Sequence, residues 1–454
     1  MKTIVITSFH PVISRSILST DIIPFLTEGK DVRVVVCMPE YKRRFFEKYY
    51  TRPHVIFEGM QTGFSQRSRR LLFFKRFGEG LLGTKKVSLQ RRRTFSGGRR
   101  SFLSYILFAV PGAFFGKWHV SHRIFRFFDN LISPKGSFDA LFETYKPDLV
   151  FATDIQNEHD VAALRDAERK GIRVVGMVRS WDNLTSRALR VIPKTILVHN
   201  NIMKQEAVVI HAIDPSCVHV VGIPHYDRYK KGPTMSRKDF LRSLGADPAK
   251  KLIVYAPICD FRISESSGND VDRHALSLLS TLNATIVVRF APTTPTNLEG
   301  FAKPNHMIFD FSGHIFKESV TGDREISPHD DERLVHLFSY ADCTVISPSS
   351  MLIDAAFFDK PIVMVNFFPR TPAKDEKIFE YEVEHIQPIL ASGGVRIATN
   401  KEDFLSYVQG YLDDPSKDAD GRARIVQEQC AYTDGGASRR IADILLRSFS
   451  GSAD

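Results

Sequence analysis

Runs of consecutive aliphatic and β-branched residues, each followed by a helix-sized interval, recur along this chain and restrict its fold more than any other feature. TIVITS (3–8) and VRVVVCMP (32–39) show little apolar/polar alternation, so both faces of each strand must be buried. Parallel sheets covered on both sides by helices meet that condition. Between the two runs Ile13, Ile17, Leu18 and Ile22 recur at helical spacing. The rhythm resumes with DLVFATD (148–154), a helix from about Glu158 to Lys170, IRVVGMVRS (172–180), TILVHN (195–200) and VHVVGIP (218–224), giving five or six parallel strands. A second series begins with an expected capping box, Ser236 with Asp239. It continues through LIVYAP (252–257), a helix near 270–282, ATIVVRF (284–290), HMIFDF (306–311), a helix near 331–340, CTVISP (343–348), a helix from Ser350 and IVMVNF (362–367). The expected class is therefore α/β, with two doubly wound Rossmann-like domains in tandem.

At 454 residues the chain exceeds what one core holds, which also favours two domains. The expected boundaries are 1–222 for an acceptor domain carrying an insertion at 60–135, 223–235 for a linker, 236–435 for a donor domain, and 436–454 for a last helix. Hydrophobic residues at 43% and charged residues at 25% exclude a disordered chain. The five cysteines are scattered without metal-ligand spacing, which predicts neither a zinc site nor a disulfide framework. Only Lys2 precedes the short apolar stretch Ile4–Ile6, which reads as a strand rather than a signal peptide. A cytoplasmic location at the inner face of the plasma membrane is expected.

Neither first strand is followed by GxGxxG, which argues against a dinucleotide dehydrogenase. The strongest local signal is CTVISPSSMLIDAAFFDKPIVMV (343–365). A buried strand ends at Ser347, and Ser349 and Ser350 stand where the next helix begins, where free N–H groups and hydroxyls can meet phosphate oxygens. Asp354, one turn on, suits vicinal ribose hydroxyls. The plainer reading makes a serine the N-cap and Asp354 a first-turn acid.

The run SPSSMLIDAAFFDKPIV resembles the donor-binding segment of GT-B glycosyltransferases. It is especially similar to that of teichoic-acid-type CDP-glycerol glycerophosphotransferases, which carry paired Ser and a downstream Asp before a DKP turn. VVGIPHYD (220–227) and AYTDGGASRRIADIL (431–445) resemble the same proteins, and RSWDNLTS (179–186) resembles a motif of related cell-surface carbohydrate enzymes. The resemblance implies a GT-B fold with two domains facing across a cleft and a last helix crossing back to the first domain. It makes Ser349 and Ser350 diphosphate contacts and Asp354 the ribose contact. Arg289 would face the same cleft, or is a strand-end surface arginine. The chain reads RFAP at 289–292 where that family tends to carry a His-Pro pair.

On the acceptor side His10 follows the first strand at the carboxyl edge, where open α/β sheets bind ligands, and is the candidate general base. It could equally cap the loop before Pro11. Asp154 and Asp182 follow later strands and are candidates to orient His10 or to hold acceptor hydroxyls. Trp181 offers an apolar platform, and Asn183, Thr185 and Ser186 offer polar acceptor contacts, unless RSWDNLTS is only a tight turn. No DxD motif ends a strand, so no metal and no cofactor is expected.

The net charge of +10 is uneven, for 60–126 holds 15 Lys or Arg against Glu79 alone. These cations are interleaved with phenylalanines, including Phe64, Phe102, Phe108 and Phe115. That mixture suits an anionic membrane surface, or a helical insertion packed on the domain with a solvated basic face; nucleic acid is not expected. The run 102–116 is too short to span a bilayer. The activity expected first is an inverting, metal-independent glycosyltransferase of cell-envelope polysaccharide biosynthesis, moving a sugar from a nucleotide-sugar to a lipid-linked or surface glycan. The alternatives are a CDP-polyol phosphotransferase, a nonhydrolysing nucleotide-sugar 2-epimerase, and a degenerate membrane-bound scaffold.

Overall fold

The computed structural model describes residues 1–61, 69–96, 114, 118–258, 270–292, 296–316, 323–372 and 376–450. The chain divides into two compact units, Met1–Lys230 with Ala431–Asp454, and Lys231–Cys430.

The first unit is built on seven strands: β1 (Lys2–Thr7), β2 (Val32–Pro39), β3 (Val55–Met60), β4 (Leu149–Ala152), β5 (Arg173–Met177), β6 (Thr195–Val198) and β7 (Val218–Val220). Their order is β3-β2-β1-β4-β5-β6-β7, and every pairing is parallel. Ile4 stands between Val34 and Leu149 in register, and β1 is buried along nearly its whole length, as an unbroken apolar run requires. Strand β3 is the one that sequence periodicity misses. It lies at the sheet edge, its HVIFEGM context is only partly buried, and it runs directly into the basic insertion.

The stretch expected as one helix after β1 is instead broken. Helix α1 (Pro11–Ile13) passes into a π-helical turn, Ser14–Leu18, and α2 (Ile22–Thr27) starts afresh after Ser19–Asp21. The Ser19 N–H reaches the Ser14 carbonyl at 2.8 Å, which widens the helix by one residue. The unit continues with α3 (Arg43–Tyr50), the insertion helices α4 (Arg69–Leu81), α5 (Lys85–Ser96) and α6 (His119–Ile132), then α7 (Asp139–Tyr145), α8 (Glu158–Arg169), α9 (Asn201–His211) and α10 (Tyr226–Lys231). The insertion helices bury Leu81, Leu82, Val87 and Phe125 together with Ala188, so they are joined to the unit by an apolar cluster of their own. Phe64, Phe102, Phe108, Phe115 and the run 102–116 apart from Phe114 lie outside the described residues.

The second unit contains a six-stranded parallel sheet, β8 (Lys251–Ala256), β9 (Ala284–Phe290), β10 (Met307–Phe311), β13 (Cys343–Ile346), β14 (Ile362–Val365) and β15 (Val395–Ala398), in the order β10-β9-β8-β13-β14-β15. A short antiparallel pair, β11 (His314–Ile315) with β12 (Arg324–Glu325), lies apart from it. The helices are α11 (Arg237–Ser243), α12 (Asp270–Leu279), α13 (Pro328–Tyr340), α14 (Met351–Phe357), α15 (Gln387–Ala391), α16 (Lys401–Asp413) and α17 (Ala419–Cys430). Ser236 does cap α11, its hydroxyl accepting the Asp239 N–H at 3.2 Å and donating to the Asp239 carboxylate at 2.6 Å, but that carboxylate takes no bond from the Ser236 N–H, so the reciprocal box is not formed there. The full capping box is Ser327 with Asp330, and it starts α13 three residues before the sequence periodicity does.

The last helix, α18 (Ala437–Ser450), packs on α2, β4 and β5 of the first unit. The buried Asp227 carboxylate accepts the N–H groups of Ala437 at 3.0 Å and Ser438 at 2.7 Å, neutralising donors that a helix start leaves open. Gly222 has φ +88°, and a Cβ there would lie 3.4 Å from that of Ala437. The VVGIPHYD and GGAS motifs, far apart in sequence, are therefore two halves of one structural joint.

Candidate functional site

In each unit the order of strands reverses once, between β1 and β4 in the first and between β8 and β13 in the second. Loops leaving the carboxyl ends of strands diverge at such a point and open a crevice. His10 and Asp154 follow β1 and β4, and Ser349 follows β13, so sequence position already places them at the two switch points.

In the first unit His10 is half-buried as the N-cap of α1, and its Nδ1 accepts the Val12 N–H at 3.2 Å. With Nδ1 held as an acceptor, the neutral ring carries its proton on Nε2 and offers a donor, not a lone pair. Burial holds His10 well below the usual imidazole value, and the positive charges of Arg179, Arg187 and Lys42 push the same way against a smaller opposing effect of Asp182. A neutral histidine under the positive field of three side chains thus stands at this edge. Lys42 follows β2, whereas Arg179 opens the RSWDNLTS loop and Arg187 follows it.

Asp154 is buried, and neither carboxylate oxygen has a hydrogen-bond partner. Arg179 Nε lies 3.1 Å from its Oδ2 as a charge contact without hydrogen-bond alignment. Its backbone N–H donates to Asp160 Oδ1 at 3.0 Å, and the Thr7 hydroxyl donates to the same oxygen. Burial, with the nearby Asp154 charge, pushes Asp160 up to about 8. Asp160 therefore holds a proton at neutral pH, and its otherwise unpartnered Oδ2 is left to carry it. Asp154 faces Arg179. One consequence is measurable as stability. From about pH 4 to about 8 the folded protein keeps a proton on Asp160 that the unfolded chain has released, so stability falls as pH rises through that window and levels off above it. Urea unfolding of Asp160→Asn between pH 5 and 8 is expected to lose this slope, and an unchanged slope would contradict the assignment.

The RSWDNLTS loop divides. Lys86 of α5 donates to Asp182 Oδ2 at 2.8 Å and the Ser180 hydroxyl to Oδ1 at 2.7 Å, so the insertion itself fixes this carboxylate. The Thr84 hydroxyl anchors the same loop on the Thr185 carbonyl at 2.6 Å. The hydroxyls of Thr185 and Ser186 turn back to the Asp182 carbonyl at 3.1 and 2.9 Å, and Trp181 is buried, as in a tight turn rather than a displayed sugar platform. Asn183 differs, because its buried Nδ2 has no partner.

In the second unit Ser349 also has a buried hydroxyl without a partner, and Ser350 begins α14 but makes no side-chain cap bond. The neighbouring loop after β8 is held by the buried Asp272 of α12, which accepts the Ile258 N–H at 3.0 Å and the Tyr255 hydroxyl at 2.5 Å. The Ser347 hydroxyl ties β13 to the Pro257 carbonyl at 2.9 Å. Two expected donor residues are placed differently. Asp354 is buried, and its charge adds to burial in pushing up the Cys430 thiol of α17, so it lies on an inward side of α14. Arg289 is buried in β9, donating to Asp310 Oδ2 at 2.5 Å and to the Asp330 carbonyl at 3.3 Å, so its charge is already matched inside the sheet.

Lys42, Arg179, Arg187, Asp160 and Asp272 are members of these two edges that motif reading does not assign. Arg179 is the first residue of RSWDNLTS, and Asp160 lies six residues beyond Asp154 across the Asn157 cap of α8. Lys42 carried no signal beyond following a strand.

Two tandem Rossmann-like units, each with candidate residues at its strand-order reversal, define an enzyme of the GT-B fold. The chain belongs to the family described as CDP-Glycerol:Poly(glycerophosphate) glycerophosphotransferase, which it matches over residues 151–447. No curated protein sequence matches it. Among solved structures, a UDP-GlcNAc 2-epimerase from Neisseria meningitidis bound to UDP-GlcNAc aligns with TM-score 0.53 and 13% identity over 98% of this chain and 100% of that one. Sucrose-phosphate synthase from Thermosynechococcus elongatus aligns with TM-score 0.52 and 10% identity over 100% of both chains. A glycosyltransferase from Rickettsia africae ESF-5 aligns with TM-score 0.51 and 9% identity over 99% of both. At these identities the likeness shows the fold alone.

Proposed function

We propose that the protein transfers a polyol phosphate from a CDP-activated donor to a hydroxyl acceptor. The observation that carries this reading is the positive field that Lys42, Arg179 and Arg187 exert on neutral His10, which follows β1 at the switch point of the first sheet. Three cations and an N–H donor suit the nonbridging oxygens of a phosphoryl group, which stay negative throughout its transfer. Family membership supports the cytidine donor.

In this reading the acceptor oxygen attacks the phosphorus distal to cytidine, the bond from that phosphorus to the bridging oxygen breaks, and CMP leaves with that oxygen. The acceptor proton passes to Asp154. The cations and the His10 Nε2–H hold the phosphoryl oxygens. Because these cations supply positive charge, turnover is expected to persist in EDTA.

A second reading, transfer of a sugar from a nucleotide-sugar, is favoured by RFAP at 289–292, which replaces the His-Pro pair. Incubation with CDP-glycerol, CDP-ribitol, UDP- or GDP-sugars and a polyol-phosphate acceptor separates the two. Acceptor-dependent release of CMP is expected. Release of UDP or GDP without CMP would replace the proposal with glycosyl transfer, and epimerisation of a nucleotide-sugar without acceptor would replace both.

A further inference from the structure

Helix α6 turns its apolar side outward. Val120, Ile124, Phe127, Phe128 and Leu131 follow helical spacing along one stripe and are 48 to 67% exposed. Trp118 just before the helix and Ile132 at its end are exposed too, and α4, packed on α6, adds exposed Leu72 and Phe73.

The opposite side explains why the helix cannot roll over. Phe125 is buried against Gly78, where a Cβ would come within 2.4 Å of its ring. Arg126 donates to the carbonyls of Leu189 at 2.9 Å and His211 at 2.6 Å. Asp129, fully buried, pairs with Arg165 and with Arg190, whose Nε and Nη2 lie 2.9 and 2.7 Å from its oxygens. Burying the stripe instead would pull these polar groups from their partners. The outward apolar face is therefore the fixed state of the helix.

We infer that this stripe is a docking surface for an anionic lipid bilayer, with α6 lying along the interface. The size of the patch and its charge select this occupant. Fourteen residues at about 1.5 Å each give a stripe roughly 21 Å long and about 10 Å wide, far below the ~800 Å² per partner that a stable protein interface buries. A second copy would also bring like charges together, since Arg76 and Arg123 are exposed on α4 and α6. Anionic headgroups complement those cations while the acyl boundary takes the stripe. Among the described residues no helix is long and apolar enough to cross a membrane. The inference is independent of the donor chemistry.

Flotation of the full-length protein with vesicles of phosphatidylcholine alone, or with 30 mol% phosphatidylglycerol, tests it. Binding is expected to the anionic vesicles and to weaken as salt rises from 0.1 to 0.5 M. Phe127→Ser with Phe128→Ser is expected to weaken binding by about 100-fold, with circular dichroism, melting temperature and donor turnover unchanged. Phe127→Trp should show blue-shifted emission on vesicles and quenching by brominated lipid. The inference is overturned if wild type fails to float at low salt, if the double variant floats as well as wild type, or if the stripe proves to hold a dimer that the double variant dissociates.

Discussion

Asp154→Asn is expected to lower kcat by about 10²- to 10⁴-fold with donor affinity close to that of wild type, and to lower the melting temperature as well, because buried Arg179 loses the charge it faces. The geometry gives the reason. Asp154 ends the strand beside β1 at the switch point, and both its oxygens lack hydrogen-bond partners although the side chain is buried. A carboxylate in that state has free acceptor capacity. His10 is in the opposite condition, because its Nδ1 already accepts the Val12 N–H. Replacement of His10 therefore separates the roles. His10→Gln keeps an N–H donor and should retain much more activity than His10→Ala, which is expected to lose about 10²- to 10³-fold, as when one oxyanion donor is removed. If His10 were the base, the glutamine variant would be as inactive as the alanine one while Asp154→Asn kept most of its activity. That pattern, measured in single-turnover kinetics, would reverse the assignment.

The contrast shows where sequence reading has purchase in this chain. Strands such as Ala284–Phe290 and Val32–Pro39 have the bounds their apolar runs mark, because double-sided burial leaves a signal at every position. Strands β3 and β15 escaped because an edge strand needs only partial burial and so carries a weaker pattern. The switch-point loops were legible for a similar reason, since strand order follows from chain rhythm. What each side chain faces was not. Asp354 and Arg289 stand at the expected places in their elements, yet Asp354 lies by Cys430 and Arg289 is matched by Asp310. Both partners are distant in sequence, and spacing along one strand or helix cannot announce them. The same holds for Lys86, which ties the basic insertion to Asp182.

The largest stability effect is expected at another such distant pairing. Asp129→Ala should destabilise the first unit by about 3–5 kcal/mol, because it leaves Arg165 and Arg190 as buried cations without their shared carboxylate. Burial already draws Arg165 below its usual value, so that side chain has little reserve once the anion is gone. Arg190 is better protected: burial opposes its charge, but hydrogen bonds to Asp129 and Glu158 outweigh it and push it up, and the Glu158 contact at 2.6 Å survives the change. Asp129→Asn should fall between wild type and alanine, since it keeps one acceptor oxygen but no charge. Replacing the three residues together, as Asp129→Leu, Arg165→Met and Arg190→Met, should recover much of the loss, because the buried charges go together and Glu158, which loses Arg190, keeps Lys75. The link to α6 supplies an independent readout. With its anchor gone the helix is free to rotate its apolar stripe inward, so Asp129→Ala should lose lipid binding although every residue of the stripe is intact. Urea unfolding followed by signals from each unit, with vesicle flotation in parallel, measures both effects; unfolding within 1 kcal/mol of wild type, with flotation unchanged, would show that the buried charges do not hold the helix.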